Sequence, residues 1–179
     1  YGGSSGALIS MGALQMGLHE EELPEIIDSW REANPKIVQY WWDTEKAAMT
    51  AYKTGERQEV GKIAFEFYSG TLWMVLPSGR RLAYLKPRQQ PNRFGRMSLT
   101  YEGVGQNHKW SRQETYSGRL VENATQAIAR DILAEAMDRI SAEGLNIVAH
   151  VHDEVIIEAP KDKYTVDEVC KLMSVNPVM

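Results

Sequence analysis

Residues 146–158, with the sequence NIVAHVHDEVIIE, decide the fold of this chain. Two short apolar runs, rich in β-branched residues, flank the tripeptide His152-Asp153-Glu154. Such runs predict two strands joined by a tight turn. Because the runs are almost entirely apolar, we expect the hairpin to be buried on both faces. Its tip would carry an imidazole and two carboxylates, and carboxylate oxygens are the ligands that hard divalent cations prefer. The alternative is a polar turn without a ligand, since Asp is common in turns.

Helical patterns lie on both sides of the hairpin. Residues 122–143 carry an apolar stripe formed by Ala124, Ala127, Ile128, Ile132, Met137 and Ile140. Gly144 follows in a position suited to a helix C-cap. Residues 165–174 begin with Thr165 and have Glu168 three residues later, which predicts a capping box. We expect the hairpin to pack on these two helices.

The first half of the chain changes from a helical to a strand pattern near residue 62. Helices are predicted over 4–18, where glycines interrupt the pattern, over 20–33, and from Pro35 to about Tyr52. Strands are predicted over 63–67, 71–76, 81–85 and 97–101, with a loop at 87–95 and no clear period over 103–118. The predicted fold class is therefore α+β, with a small antiparallel sheet.

The composition is that of an ordinary globular protein. The chain has 179 residues, of which 43% are hydrophobic and 25% are charged. No apolar run approaches the length of a membrane span, and no signal peptide is evident. The single cysteine, Cys170, excludes an internal disulfide framework and fits a reducing, intracellular compartment. Because the chain begins at Tyr1 and ends just after a helical pattern, we expect it to be a piece of a longer protein.

The net charge of −4 conceals a strong asymmetry. Between Arg80 and Arg119 there are nine basic and two acidic residues, so this segment carries +7 and the remainder −11. A basic stripe on an acidic protein is typical of a surface that binds a polyanion. A solvated loop region without a partner explains the same count equally well.

Two further groups of polar residues are candidates for a site. His150 and His152 could form half of a zinc site, but only His19 and His108 remain as further histidines, both in unrelated contexts. Asn123, Gln126 and Arg130 are spaced to share one face of the 122–143 helix. That face is either an ordinary solvated surface or a row of donors along a nucleic-acid groove.

Three stretches, taken in order, resemble the C-terminal part of a family A DNA polymerase, of the phage or prophage type related to bacterial DNA polymerase I. Tyr1-Gly2 resembles the end of the motif B helix of the fingers. Residues 122–131 resemble the long palm helix, and residues 151–155 resemble motif C. The resemblance covers essentially the whole chain. It implies a helical fingers part at 1–61, a β-rich basic insertion at 62–119, and a palm part at 120–179 that contains the motif C hairpin.

The resemblance also implies roles for individual residues. Asp153 would be the catalytic aspartate that holds Mg²⁺, with Glu154 beside it, and His152 would lie near the primer terminus. Gln126 would reach the minor groove of the DNA. The remaining implied contacts to DNA are Asn123, Arg130, Tyr1 and Gly2. One departure affects Asn123, because the asparagine that family members often have four residues before the glutamine is replaced here by Glu122.

The function implied by the resemblance is DNA-templated DNA synthesis by two-metal nucleotidyl transfer to a primer 3′-hydroxyl. The partners would be primer–template DNA and a dNTP, in the cytoplasm of a bacterial cell. Because the motif A aspartate and the motif B cations would lie outside these 179 residues, we expect the chain alone to be inactive. An unpaired edge on its hairpin would favour self-association. The alternatives are a non-catalytic, nucleic-acid-binding remnant of a prophage polymerase and an unrelated metal-dependent hydrolase.

Overall fold

The computed structural model describes residues 3–92, 95–105 and 107–176, and these form an α+β fold. The helices are α1 (Ser5–Ser10), α2 (Leu23–Ala33), α3 (Pro35–Thr54), α4 (Ser117–Ala142) and α5 (Val166–Met173), with a 3-10 turn at Glu20–Glu22. The strands are β1 (Gln58–Val60), β2 (Ile63–Tyr68), β3 (Thr71–Val75), β4 (Arg81–Pro91), β5 (Met97–Val104), β6 (Trp110–Glu114), β7 (Asn146–Val151) and β8 (Glu154–Glu158). No helix in the described ranges is both long and apolar enough to cross a membrane.

The chain divides into two compact units, residues 1–124 and 125–179, and α4 continues across the boundary. The two units are defined by which residues pack together. The assignment of residues 1–61, 62–119 and 120–179 to fingers, insertion and palm stays a prediction.

In the first unit, six strands form one antiparallel sheet in the order β1-β2-β3-β4-β5-β6. Consecutive strands pair because short turns join them. Ser69 and Gly70 both have positive φ, at 51° and 73°, and they link the paired residues Tyr68 and Thr71. Two successive positive φ values are those of a type I′ turn, whose twist matches that of a hairpin. The predicted sheet is therefore present, but it spans residues 58–114 and not only 62–101.

The core of this unit lies between the sheet and α3. Phe65, Leu72 and Met74 are fully buried, and α3 packs against β1, β2 and β3. The buried positions of α3 are Trp41, Thr44, Ala47, Ala48 and Ala51, which recur at helical spacing. The three alanines let the helix backbone approach the sheet closely. Trp41 is buried, whereas the neighbouring Trp42 is exposed.

Two sequence predictions in this unit were incomplete. The loop expected at 87–95 is strand as far as Pro91, which pairs with Met97. A register shift between Leu85 and Arg88 accommodates Pro87, because a bulge needs no ladder hydrogen bond from the proline. The stretch 103–118, which showed no period, contains β6. This is a polar edge strand, so hydrophobic alternation could not reveal it.

Helix α4 begins at Ser117, five residues before the predicted start at Glu122. Leu120 and Val121 are buried, so the apolar face of the helix starts earlier than the stripe that the sequence suggested. Further along, Ile132 is 39% exposed, whereas Leu133 and Ala136 are buried. The expected stripe was therefore wrong at position 132.

In the second unit, α4 ends at Ala142, and Gly144, with φ of 79°, takes the predicted C-cap position. The Gly144 amide donates to the carbonyl of Ser141 and the Leu145 amide to that of Ile140, which together form a Schellman motif. The predicted capping box of α5 is also present, since the Thr165 side chain accepts from the Glu168 amide and the Glu168 carboxylate accepts from the Thr165 amide.

Strands β7 and β8 form the predicted hairpin, but its expected burial on both faces is wrong. Val148, Val151 and Ile156 are exposed by 54%, 59% and 51%. A ribbon of two strands buries a face only where another element lies on it. Here Val155 and Ile157 are half-buried and the other positions of β8 are exposed. The apolar sequence therefore marks surface that this chain leaves in solvent.

Candidate functional site

The tip of the β7–β8 hairpin and one face of α4 enclose a cleft in the second unit. The cleft has a volume of about 370 Å³ and is lined by Gln126, Ala129, Arg130, His152 and Asp153. Gln126 and Arg130 are four residues apart on the helix, so they project from the same face. Ala129 lies between them, and its small side chain leaves room above the helix. Four of the residues singled out in the sequence therefore line one cavity.

The turn that presents Asp153 has an unusual backbone at His152. Val151 pairs with Glu154, so His152 and Asp153 form a two-residue turn. His152 has φ of +58°, a left-handed conformation that costs a non-glycine residue free energy. Glycine would adopt it without strain. A histidine retained at such a position in a cleft is a candidate for function.

The Arg130 side chain is held by a histidine of β7. One terminal guanidinium nitrogen, Nη1, lies 3.5 Å from Nδ1 of His150, and the other, Nη2, lies 3.5 Å from Nε2 of the same ring. Each contact is at the outer limit of hydrogen-bond distance, and the donor and acceptor roles depend on the tautomer of the histidine. The guanidinium has five N–H donors, so donors remain for other partners. This contact could not be predicted from the sequence, because residues 20 positions apart meet only in the fold.

Two other predicted site residues do not line this cleft. Glu154 is the first residue of β8 and is exposed. Asn123 lies in the first unit, where its amide nitrogen donates to the hydroxyl of Tyr84 over 2.9 Å. Burial raises the pKa of Tyr84 to about 12, although the bond from Asn123 acts in the opposite direction. The role expected for Tyr1 and Gly2 concerns positions outside the described residues.

The donor set of the cleft is compatible with Mg²⁺ as a partial site. Mg²⁺ is usually bound by one or two carboxylates together with waters and substrate phosphates. Asp153 brings one exposed carboxylate into the cleft, and Glu154 follows it in the chain. Within the described ranges, no group of three or more His, Cys, Asp or Glu side chains is placed to hold a metal ion. Asp153 therefore fits a role as one of several ligands.

The basic segment 80–119 forms β4, β5, β6 and the start of α4, and several of its cations are paired. Lys86 and Arg112 both contact Glu102, at 2.8 Å and 3.2 Å. Arg96 contacts Glu45 at 3.2 Å and lies 5.0 Å from the centre of the Trp42 ring. Burial raises the pKa of Glu45, while Arg96 lowers it. The segment is therefore an ordered sheet and not a solvated loop.

A comparison with known proteins gives one informative match. The chain is 50% identical over 177 residues to a protein named DNA polymerase from Bacillus phage SP02. The match covers 97% of this chain and 27% of the phage protein, so the chain spans about a quarter of that relative's length. No protein-family model matches the chain, and no solved structure matches it. The chain is thus similar to one segment of a phage DNA polymerase.

Proposed function

We propose that the longer protein containing this chain is a DNA-directed DNA polymerase of family A. The observation that carries the proposal is the cleft, in which Asp153 and His152 of the hairpin tip face Gln126 and Arg130 of α4. The 50% identity to a phage DNA polymerase, along nearly the whole chain, supports the same assignment. The proposed partners are primer–template DNA and a dNTP.

Each polar residue that lines the cleft has a proposed role in catalysis or DNA binding. Asp153 would hold catalytic Mg²⁺, with Glu154 close by. When bound, Mg²⁺ would supply charge stabilisation for the attacking hydroxyl and the leaving pyrophosphate, and Asp153 would be one of the residues that hold it. Gln126 would donate its amide to minor-groove acceptors, which are present at every base pair and allow contact without sequence preference.

Arg130 and His152 would position the DNA at the primer terminus. The contact with His150 restricts the Arg130 side chain, so its remaining donors need little reordering to meet a phosphate or a base edge. The His152 imidazole projects from a backbone that the turn holds in one conformation. These side chains would fix the primer end relative to the carboxylate.

The first test of the proposal is Asp153→Asn in the longer protein. The amide keeps the shape of the side chain but removes the charge that binds a cation. We expect primer extension to fall by more than the roughly 100-fold that changing even an outer-shell partner of a metal site can cost. Primer–template affinity should stay nearly unchanged. Single-turnover dNTP incorporation and fluorescence anisotropy measure the two quantities.

The matched control is Asp162→Asn, which neutralises an exposed aspartate in the loop after β8. It should leave both quantities unchanged. Near-normal incorporation by Asp153→Asn would reject the catalytic role of this residue. In the same assay we expect no incorporation by the 179-residue chain alone, because its cleft holds a single carboxylate. Incorporation by that chain would reject this part of the proposal.

The cleft's single carboxylate is also compatible with a second candidate, a nucleic-acid-binding remnant of a prophage polymerase that lacks catalysis. A longer protein that binds primer–template but incorporates no dNTP, with or without Asp153→Asn, would favour it.

A further inference from the structure

The six-stranded sheet has a second face, opposite the one that α3 covers. In an antiparallel sheet, directly paired residues share a face. The pairing places one row of side chains across β2, β3, β4, β5 and β6: Tyr68, Thr71, Leu85, Glu102 and Arg112. The buried Leu72 alternates with Thr71 and therefore lies on the α3 side. We call the opposite side the outer face.

Two glutamates on the outer face are each shared by two cations. Glu66 contacts Arg57 and, at 3.4 Å, Arg81. Glu102 contacts Lys86 at 2.8 Å and Arg112 at 3.2 Å. Because Arg57 also contacts Glu59 at 3.2 Å, the Glu66 cluster is neutral. The Glu102 cluster keeps a surplus positive charge, because one carboxylate neutralises only one of its two partners. Lys86 and Arg112 therefore repel each other unless a further anion joins them.

An exposed aromatic ring accompanies each cluster. Tyr68 is 43% exposed, and its hydroxyl accepts a hydrogen bond from Arg81 over 3.0 Å. Its ring stacks on Trp73, with the centroids 5.7 Å apart and the planes at 21°. Trp110 is 58% exposed, and its indole N–H donates to Glu102 over 3.4 Å. The contacts to Trp73 and Glu102 hold the two rings in place while part of each stays accessible.

Exposed aromatic rings beside cations are suited to binding a single nucleic-acid strand. Aromatic side chains stack on unpaired bases, and nearby cations contact the phosphates. The bases of a duplex are already stacked and paired, so an exposed aromatic ring has no free base to stack on there. Tyr68 and Arg112 are four strand spacings apart, or about 19 Å at about 4.8 Å per spacing. That span suits a segment of several nucleotides.

We propose that the outer face of the sheet binds single-stranded DNA, with Tyr68 and Trp110 stacking on bases and Arg81, Lys86 and Arg112 contacting phosphates. This site lies in the first unit and is separate from the cleft residues of the second. It goes beyond the proposed polymerase function and does not depend on Asp153.

The test measures binding of the 179-residue chain to a fluorescein-labelled thymidylate strand by anisotropy, over a series of salt concentrations. Trp110→Ala should weaken binding by about 5- to 100-fold, the contribution of stacking one base. Lys86→Gln should lower the slope of log affinity against log salt by about 0.7, the value for one phosphate contact on a single strand. Both side chains are exposed, so both variants should fold, as circular dichroism will check.

Matched controls are Trp42→Ala and Lys46→Gln, which remove an exposed tryptophan and an exposed lysine from α3. Neither should change affinity or salt slope. Failure of the wild-type chain to bind, or tighter binding of duplex than of single strand, would overturn the proposal. So would equal losses in Trp42→Ala and Trp110→Ala. A loss in Arg130→Gln without one in Trp110→Ala would move the binding to the cleft and overturn the proposal too.

Discussion

At the scale of single residues, His152 combines a strained backbone with a side chain that lines the cleft. Residues are held in the left-handed region only when the surrounding structure imposes it, and such residues cluster at functional sites. If the turn alone mattered, glycine would serve better. The turn alone therefore does not explain a histidine at this position. Substitution can separate the effect of the His152 backbone on stability from the effect of its imidazole on DNA binding.

His152→Gly should leave the free energy of unfolding unchanged or raise it by up to about 1 kcal/mol, because glycine relieves the strain but loses more backbone entropy on folding. Primer–template binding by the longer protein should weaken by about two- to tenfold, the contribution of one hydrogen bond. Urea denaturation and anisotropy give the two values. His108→Gly is the control, since His108 has φ of 57° in the loop between β5 and β6. It should affect stability similarly and leave binding unchanged. Equal binding by His152→Gly and wild type would assign His152 to the turn alone.

At the scale of elements, the bond from Asn123 to Tyr84 joins the beginning of α4 to β4. Tyr84 is buried and meets Tyr101 edge to face, with the ring centroids 5.1 Å apart. A buried hydroxyl needs a hydrogen-bond partner, and the half-buried Asn123 amide supplies it. Asn123 therefore has a structural task in this fold that its position near Gln126 in the sequence did not suggest.

Tyr84→Phe should lower the free energy of unfolding of the first unit by about 0.5–1.5 kcal/mol at neutral pH, the value of one hydrogen bond. The pH dependence should change as well. The pKa of Tyr84 is raised to about 12 in the folded state from 10.0. Between these values the unfolded state loses its proton first, so wild-type stability falls as pH rises, at up to about 1.4 kcal/mol per pH unit. Tyr84→Phe should lack that component.

Urea titrations from neutral pH to pH 12 would measure this difference. Tyr116→Phe serves as the control because Tyr116 is exposed, and it should retain the wild-type slope. A slope in Tyr84→Phe equal to that of the wild type would show that other groups cause the alkaline loss of stability.

The elements also show what the sequence could predict. Local rules placed the capping box of Thr165 and the C-cap at Gly144, because each depends on a few neighbouring residues. They failed for β6, where Trp110 is the single apolar residue, and for the burial of the hairpin. Those properties depend on which elements lie alongside. The spacing of Gln126 and Arg130 predicted a shared helix face, but the contact between Arg130 and His150 depends on the fold.

At the scale of the whole molecule, the chain exposes apolar surface that a longer protein is expected to cover. Within the described residues the β7–β8 sheet has two strands, so each strand has one edge without a strand partner. Val148, Val151 and Ile156 add exposed apolar side chains on the same hairpin. Open edges and apolar surface together favour association. The phage relative is nearly four times the length of this chain, which leaves ample sequence for a covering segment.

We therefore expect the 179-residue chain to self-associate reversibly through the hairpin, whereas the longer protein should not. Ile156→Thr should weaken the association by at least about tenfold, because burying a side chain of this size contributes about 1.5–3 kcal/mol. Sedimentation velocity over a range of concentrations measures the effect. Val166→Thr is the control, since Val166 is exposed by 78% but lies on α5. An entirely monomeric chain, or equal weakening by the two substitutions, would show that the hairpin does not drive association. Association of the longer protein with the same affinity would show that its additional sequence leaves the hairpin uncovered.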